Sequence, residues 1–240
     1  ADSREEPPTA ASIRAEFPQA ELRTGPFDAH FLAAADELIL SPGVDPALPA
    51  MRAARAAGAR LLGDIELFAH EARAPIVAIT GTNAKSTVTT LVWLMAQQAG
   101  LRVACGGNLG TPALELLAPD VELYVLELSS FQLETVIDFA ADVATVLNVA
   151  PDHLDRYPDM EAYCNAKLRI YRGARRAVFN RDDALTVPGA GCAAARNSFG
   201  FGPARAGDYG LLGRDDGEWL ACGTEALIAV RDLALRGRHN

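Results

Sequence analysis

The feature that most constrains the fold is an apolar strand that runs through a short loop into a helix. Residues 76–79 form a continuous apolar run, and helical periodicity begins at Ser86 and continues to residue 99. The loop and first helical turn read Gly81, Thr82, Asn83, Ala84, Lys85, Ser86 and Thr87. In such a turn the backbone N–H groups converge on one point, where the helix dipole adds positive potential. The order of strand, loop and helix therefore predicts a phosphate-binding loop, or P-loop.

A bound triphosphate also needs a point charge and a metal anchor. Lys85 is placed to reach the β- and γ-phosphates, and the Ser86 hydroxyl is a suitable ligand for Mg²⁺. Residue 84 departs from the usual pattern, because P-loops nearly always carry Gly before the Lys and the Cβ of Ala84 resists backbone angles that Gly allows. We therefore expect ATP and Mg²⁺ as ligands. The alternative is a plain helix N-terminus in which Thr, Lys and Ser occur by chance.

Short apolar runs alternate with helix-like stretches along the chain, which predicts a parallel sheet covered by helices. The first series has strands at 37–40 and 60–62 with a helix at 46–57 between them. Asp64 is a good N-cap for the next helix, and Pro75 interrupts the pattern before a second series begins. We therefore place a domain boundary directly before Asp64.

The second series is longer and changes character near its end. Five strands are predicted, at 76–79, 101–104, 123–126, 143–149 and 177–179. Helices are predicted at 86–99, 112–117 and 161–173. Short alternating runs at 209–212, 218–221 and 226–230 predict a small antiparallel sheet. The predicted fold class is α/β: an incomplete Rossmann-like N-terminal domain over 1–63, then a P-loop central domain over 64–240 with a mainly parallel sheet and a small antiparallel sheet.

The charge of the chain excludes some partners. The net charge is −9, so the basic footprint that nucleic-acid binding needs is missing, and no nucleic-acid partner is expected. No apolar run approaches the roughly 18 residues of a membrane span, and the first residues do not have signal-peptide character. We expect a cytoplasmic protein that does not insert into a membrane.

Four further motifs follow the phosphate loop in a fixed order. They are GGNLG at 106–110, ELSSFQLE at 127–134, NVAPDHLDRY at 148–157 and YCNAKLRIY at 163–171. Their order and spacing resemble the Mur ligase family over the whole chain. The GTNAKST loop alone indicates only a superfamily that includes folylpolyglutamate synthetase. The last three motifs narrow the resemblance to the branch that adds glutamate to UDP-N-acetylmuramoyl-L-alanine.

The resemblance implies an ATP-dependent ligase of peptidoglycan synthesis that works through an acyl phosphate. It makes Glu127 a ligand of the same Mg²⁺ as Ser86, and His153 a ligand of a second Mg²⁺. It also implies that Lys167 is carbamylated by CO₂, which would turn an ammonium into an oxygen ligand for Mg²⁺. Lys85, His153 and Lys167 are the implied catalytic residues. From the residues alone, three alternatives stay open: Glu127 could be a solvent-exposed Glu, His153 a surface His, and Lys167 part of a basic helix face.

The resemblance also implies substrate contacts. Asn108 and Ser129 correspond to positions near the muramoyl-alanine part, and Asn240 to an adenosine contact. Uridine and diphosphate contacts are implied for Ser3, Arg4, Ser41, Pro42 and Gly43. Asn108 and the residues of the first domain could equally be ordinary turn residues. The expected partners are UDP-N-acetylmuramoyl-L-alanine and glutamate, bound by a monomer.

The family carries a third domain and an earlier βα unit that this sequence does not contain. We therefore expect a fragment that does not complete ligation by itself. Two alternatives remain at this point: a relative that adds L-glutamate, and a P-loop nucleotide-binding module without synthetic activity. The second would predict an NKxD element or an Asp that ends a strand, and neither is present. A relative that uses folate fits the ELSSFQLE motif less well.

Overall fold

The computed structural model describes residues 1–235 and divides into two compact units, Ala1–Gly63 and Asp64–Asn240. Asn240, the predicted adenosine contact, lies outside the described residues. Among the described residues, no helix combines the length and the apolar character that a membrane crossing requires.

The first unit is a small parallel βαβ arrangement with two short helices before it. Its elements are α1 (Ala10–Glu16), α2 (Ala29–Ala33), β1 (Glu37–Leu40), α3 (Pro49–Ala56) and β2 (Arg60–Gly63). The two strands pair in parallel. The core consists of Leu32, Leu40, Met51, Ala54, Ala59 and Leu61. The sequence patterns predicted β1, α3 and β2 but not α1 or α2, and α3 begins three residues later than predicted because Pro49 occupies its first turn.

The second unit contains two sheets. Its strands are β3 (Ile76–Thr80), β4 (Val103–Gly107), β5 (Leu123–Glu127), β6 (Val143–Val146), β7 (Ala174–Asn180), β8 (Ala193–Phe199), β9 (Tyr209–Arg214), β10 (Gly217–Cys222) and β11 (Glu225–Ala229). The six-stranded sheet has the order β4-β5-β3-β6-β7-β8 and every pair in it is parallel. The three-stranded sheet β11-β10-β9 is antiparallel. The predicted fold class is confirmed.

Helices connect the parallel strands. They are α4 (Asp64–Glu71), α5 (Lys85–Gln98), α6 (Ser130–Leu133) and α7 (Met160–Leu168), with single 3₁₀ turns at Ala113–Leu116, Arg169–Tyr171, Ala184–Thr186 and Val230–Asp232. The core of the unit includes Phe68, Tyr124, Leu126, Leu133, Tyr163 and Tyr171. The Tyr171 hydroxyl accepts from the Val146 N–H at 2.9 Å and donates to the Val178 carbonyl at 3.0 Å, which ties β6 to β7.

Several predicted boundaries were wrong. The strand predicted at 143–149 ends at Val146, and beyond it the Asn148 carbonyl accepts from the phosphate loop and the Val149 N–H donates to the Asp183 side chain. The helix predicted at 161–173 ends at Leu168 and continues as a 3₁₀ turn, and the one at 112–117 is a 3₁₀ turn only. Asp64 is the first residue of α4 and not its N-cap. Strand β8 was missed, and β4 lies two residues later than predicted.

Candidate functional site

The candidate site lies at the carboxyl-end edge of the parallel sheet, where β4, β5, β3 and β6 end side by side. The predicted phosphate loop follows β3, and α5 begins at Lys85. Ala84 is the residue before the helix and has φ 63° and ψ 6°, in the left-handed region that Gly adopts most easily. The Lys85 ammonium donates to the Thr82 carbonyl at 3.1 Å. The loop thus places a lysine and the free N–H groups of a helix at one position.

The two predicted magnesium ligands meet at this loop. The Ser86 hydroxyl donates to Glu127 Oε2 at 2.7 Å, and Asn108 Nδ2 donates to Glu127 Oε1 at 2.7 Å. Glu127 is only 2% exposed, and it ends the strand next to β3. A hydroxyl and a carboxylate are the hard oxygen ligands that Mg²⁺ prefers, so this pair fits a magnesium ion beside a bound triphosphate.

Close backbone packing brings Asn108 to Glu127. The Asn108 N–H donates to the Glu127 carbonyl at 2.8 Å. Gly107 has φ +99°, and a Cβ there would lie 2.5 Å from the same carbonyl oxygen. Only Gly permits this approach, so the GGN sequence is what aims the Asn108 amide at the carboxylate.

Tyr163 joins the phosphate loop to Lys167. The Tyr163 hydroxyl lies 3.1 Å from Thr82 Oγ1, and the Lys167 ammonium lies 4.6 Å from the centre of the Tyr163 ring. Lys167 is 2% exposed and donates to the Gly81 carbonyl at 2.9 Å. The alternative that was left open, a Lys on a solvated basic helix face, is therefore wrong for Lys167, whose amine contacts the phosphate loop.

Burial has a large electrostatic effect on this amine. Desolvation, with a smaller contribution from the nearby positive charge of Lys85, lowers the pKa of Lys167 from 10.5 to about 7. Lys85 and Lys167 are the only lysines in the sequence. Both lysines of the chain are thus in this site, and one has a large neutral fraction near pH 7.

His153 follows β6 on the same edge. Its ring lies 4.8 Å from the Phe131 ring and 6.1 Å from the Tyr163 ring, centre to centre. Its Nε2 atom is 3.6 Å from Asp152 Oδ2. The backbone of His153 has φ 53°, a left-handed conformation that is uncommon for a residue with a Cβ. His153 and Lys167 therefore each lie beside the ring of Tyr163, and the His153 side chain is 44% exposed.

Ser129 has a clear structural role. Its hydroxyl accepts from the Gln132 N–H at 3.1 Å, and the Gln132 side chain accepts from the Ser129 N–H at 3.1 Å, which is a capping box at the start of α6. Gln132 also donates to Asp64 Oδ2 at 3.0 Å. These contacts account for the Ser-Ser-Phe-Gln order even when no ligand is bound. The substrate contact of Ser129 stays a prediction.

The predicted residues of the first unit lie in two turns. Arg4 forms a two-point ion pair with Asp2, at 2.9 and 2.7 Å, and Ser3 is exposed between them. This ion pair holds the pKa of the Asp2 carboxyl well below its usual range. The turn of Ser41, Pro42 and Gly43 follows β1 and is closed by a bond from the Val44 N–H to the Ser41 carbonyl at 2.9 Å.

A second group of possible metal ligands lies at the amino-end edge of the same sheet. Glu66, His70 and Asp138 bring one ligand atom each within 4.8 Å of one another. His70 and Asp138 line a cavity of about 410 Å³ together with Ile76, the first residue of β3. Both oxygens of the Glu66 carboxylate accept backbone N–H groups, from Ile137 at 2.8 Å and Asp138 at 2.9 Å. These bonds explain the buried Glu66 as an anchor of the chain after α6.

Sequence reasoning missed two residues of the site. Asn148 was assigned to a strand, yet its side chain bonds to the phosphate loop at Asn83. Its polar side chain in an apolar run was the available signal, since Asn is depleted in strands. Tyr163 was part of a recognised motif, but nothing in its spacing indicated a contact with Thr82.

A parallel sheet with a phosphate loop after one strand and a carboxylate at the end of the neighbouring strand is the arrangement of the P-loop fold class. The family model of the Mur ligase middle domain matches residues 79–203, and that of the MurD-like N-terminal domain of Mur ligases matches residues 1–63. The chain belongs to the Mur ligase family.

Curated relatives share the whole length of the chain. UDP-N-acetylmuramoylalanine--D-glutamate ligase of Pseudomonas fluorescens Pf-5 is 57% identical over 240 residues, which are 100% of this chain and 54% of the relative. The proteins of the same name from Pseudomonas aeruginosa and Nitrosococcus oceani are 56% and 52% identical. Each of these matches covers 100% of this chain and 53% of the relative. The chain thus spans about half the length of these relatives.

Solved structures support the fold. UDP-N-acetylmuramate:L-alanyl-gamma-D-glutamyl-meso-diaminopimelate ligase from Neisseria meningitides aligns with a TM-score of 0.53 at 15% identity, over 99% of this chain and 80% of that one. FolC of E. coli, in complex with DHPP and ADP, aligns with a TM-score of 0.50 at 16% identity, over 69% of this chain and 52% of that one.

Proposed function

We propose that this chain forms the N-terminal and ATP-binding parts of a ligase that joins D-glutamate to UDP-N-acetylmuramoyl-L-alanine. The observation that carries the proposal is the hydrogen-bonded group of Ser86, Glu127 and Asn108 beside the phosphate loop. The 57% identity to a D-glutamate ligase supports these substrates and favours D- over L-glutamate.

The proposed reaction has two steps. The L-alanine carboxylate attacks the γ-phosphorus of ATP, which forms an acyl phosphate and releases ADP. The amine of glutamate then attacks the acyl carbon, so that an amide bond forms, phosphate leaves and the amine loses a proton. The first step brings two anions together, and at ~4 Å two unit charges repel by about 4 kcal/mol at an effective dielectric constant of 20.

The residues at the carboxyl-end edge are suited to offset this repulsion. Lys85 supplies a positive charge to the β- and γ-phosphates, and the N–H groups at the start of α5 bind phosphate oxygens. Ser86 and Glu127 would hold Mg²⁺, which when bound would neutralise phosphate charge. The remaining loop residues (Gly81, Thr82, Asn83, Ala84 and Thr87) shape the pocket for ATP.

Lys167 is proposed to be a carbamate in the working enzyme. The neutral amine attacks the carbon of CO₂ and releases one proton, which leaves an anionic carbamate. This carbamate and His153 would be the residues that hold a second Mg²⁺. Burial favours the neutral amine that this reaction needs. Because Lys85 is the only other lysine, the ¹³C NMR signal of a carbamate formed under ¹³CO₂ is assigned to Lys167 by its loss in Lys167→Met.

The substrate contacts are proposed on the relatives' function. Asn108 and Ser129 would contact the muramoyl-alanine part, and the chain is proposed to act as a monomer. Uridine and diphosphate would be bound by Ser3, Arg4, Ser41, Pro42 and Gly43. To bind a diphosphate, Arg4 would have to exchange its ion pair with Asp2 for the ligand.

Calorimetric titration of the 240-residue chain tests the proposal. We expect separate, saturable binding of ATP with Mg²⁺ and of UDP-N-acetylmuramoyl-L-alanine, and weaker binding of UDP alone. Binding of ATP without binding of the muramoyl nucleotide would instead support a nucleotide-binding module without ligase activity. The absence of ATP binding would contradict the proposed site.

A further inference from the structure

The segment that leaves β6 holds the phosphate loop from one side. The Thr82 N–H donates to the Asn148 carbonyl at 2.9 Å, and the Ala150 N–H donates to Thr82 Oγ1 at 3.0 Å. These two bonds fix the start of the loop, but they do not reach the residues that precede α5.

The side chain of Asn148 reaches further into the loop. Its Oδ1 atom accepts from the Asn83 N–H at 2.8 Å, and its Nδ2 atom donates to the Asn83 carbonyl at 3.1 Å. One amide group thus binds both polar backbone atoms of one residue. This two-point contact fixes the orientation of the peptide units on both sides of Asn83.

The next residue is the strained one. Ala84 has φ 63° and ψ 6°, a conformation that costs a residue with a Cβ roughly 1–2 kcal/mol. Such a conformation persists only when the surrounding structure fixes it. Ala84 makes the bend that directs the chain into α5, so a relaxed Ala84 would turn the loop N–H groups away from a phosphate.

We propose that Asn148 is a positioning residue that holds the phosphate loop in its anion-binding shape against the left-handed strain of Ala84. The proposal rests on the proposed function, since it assigns the loop to phosphate. The amide of Asn148 binds the loop backbone and not the nucleotide. With Gly at residue 84 the bend would carry little strain, and the amide contact would matter less.

The segment that carries Asn148 is itself anchored on its other side. Asn180 Nδ2 donates to the Leu147 carbonyl at 3.2 Å, and Asp183 Oδ2 accepts from the Val149 N–H at 2.8 Å. Both anchoring residues lie at the end of β7 or just beyond it. Asn148 therefore bonds to the loop from a fixed backbone, as a residue that must resist strain requires.

A double-mutant cycle tests the proposal. The unmodified chain, Asn148→Ala, Ala84→Gly and the double variant are titrated with ATP and Mg²⁺ by calorimetry, well below their unfolding temperatures. We expect Asn148→Ala to raise the Kd about tenfold with Ala84 present, and less than about threefold with Gly at residue 84. Asn197→Ala, which removes an amide near β9, is the matched control and should leave the Kd unchanged.

Thermal unfolding of the same variants without nucleotide gives an independent reading. Ala84→Gly should raise the Tm by about 2–4 °C when Asn148 is present, because strain is relieved. It should raise the Tm by less than about 1 °C in Asn148→Ala, where the loop has already relaxed.

Two results would overturn the proposal. One is an unchanged Kd in Asn148→Ala. The other is an effect of Asn148→Ala on both the Kd and the Tm that is the same whether residue 84 is Ala or Gly. If the unmodified chain binds no ATP, the proposed function fails, and the unfolding cycle still decides whether Asn148 holds Ala84 in its strained conformation.

Discussion

The two edges of the parallel sheet each bury one carboxylate, and the partners of these carboxylates differ. At the carboxyl-end edge, Glu127 accepts from two side chains, Ser86 and Asn108. At the amino-end edge, Glu66 accepts from two backbone N–H groups, of Ile137 and Asp138, and its Oε1 also lies 3.3 Å from His70 Nε2. Both carboxylates are at most 2% exposed, so burial alone does not distinguish them.

The partners do distinguish them. Side chains can exchange one hydrogen bond for a bond to a cation, whereas two backbone N–H groups that share one carboxylate hold it in a fixed structural role. The comparison therefore assigns ligand binding to the Glu127 edge and stability to the Glu66 edge. Substitutions at the two edges should change different measurements.

The largest effect is expected for Lys85→Met at the carboxyl-end edge. Losing the point charge on the phosphates should weaken ATP binding about 100-fold, or about 2.7 kcal/mol, with little change in stability. Calorimetric titration with ATP and Mg²⁺ measures this. The control is Arg175→Met, which removes a charge that pairs with Asp142 near the amino-end cavity. Equal losses in both variants would mean that net charge, and not position, governs binding.

Glu66→Gln tests the other edge. The carboxamide has only one oxygen to accept from the two backbone N–H groups, and its NH₂ group would face the other N–H. The free energy of unfolding should therefore fall by about 2–3 kcal/mol. Urea unfolding measures the loss, with the exposed Glu71→Gln on the same helix as the control. The comparison breaks down if Glu66→Gln is as stable as the control or if its folded form binds ATP more weakly.

Lys167→Met sharpens the comparison, because the buried amine of Lys167 lowers the stability of the folded chain at the binding edge. The pKa of Lys167 is lowered from 10.5 to about 7 by burial, so below pH 7 the folded chain carries a desolvated charge. Between pH 7 and 10.5 the unfolded chain holds more protons, and stability rises with pH. In CO₂-free buffer, Lys167→Met should be more stable by on the order of 2 kcal/mol at pH 6, with the difference vanishing towards pH 10.5. A difference that is independent of pH would contradict this.

Ala84→Gly should have the smallest effect. Relief of the left-handed strain should stabilise the chain by about 1 kcal/mol, and ATP should bind equally well or more tightly. Thermal unfolding and calorimetric titration measure the two effects. Clearly weaker ATP binding by the Gly variant would reject this account of the loop.

Much of the sheet could be predicted because buried parallel strands are continuous apolar runs. Strands β3 and β5 were predicted to within one residue on this basis. Strand β8 was missed because Ala193–Phe199 carries Arg, Asn and Ser, which is typical of an edge strand and not of a buried one. The run at 143–149 was extended too far, because apolar residues continue after the strand has left the sheet.

The site was predictable where a motif combines several residue types. Ser86 and Glu127 were expected together at one magnesium ion, and they share a hydrogen bond. The bond from Asn108 to Glu127 was not expected, because Asn108 was predicted to contact the substrate. The contacts of Asn148 and Tyr163 could not be predicted, because each spans more than 60 residues and depends on how β6 and α7 pack beside β3. The burial of Lys167 was hidden by the arginines that share its segment, since periodicity does not show which basic side chain points inwards.

The most direct test of the central claim is the magnesium dependence of ATP binding. The 240-residue chain and its Glu127→Gln variant are titrated with ATP, with Mg²⁺ and with chelator. We predict that Mg²⁺ tightens ATP binding at least about tenfold in the unmodified chain and has almost no effect in Glu127→Gln. Equal gains from Mg²⁺ in both chains, or none in the unmodified chain, would contradict the assignment of Ser86 and Glu127 to a magnesium site at the phosphate loop.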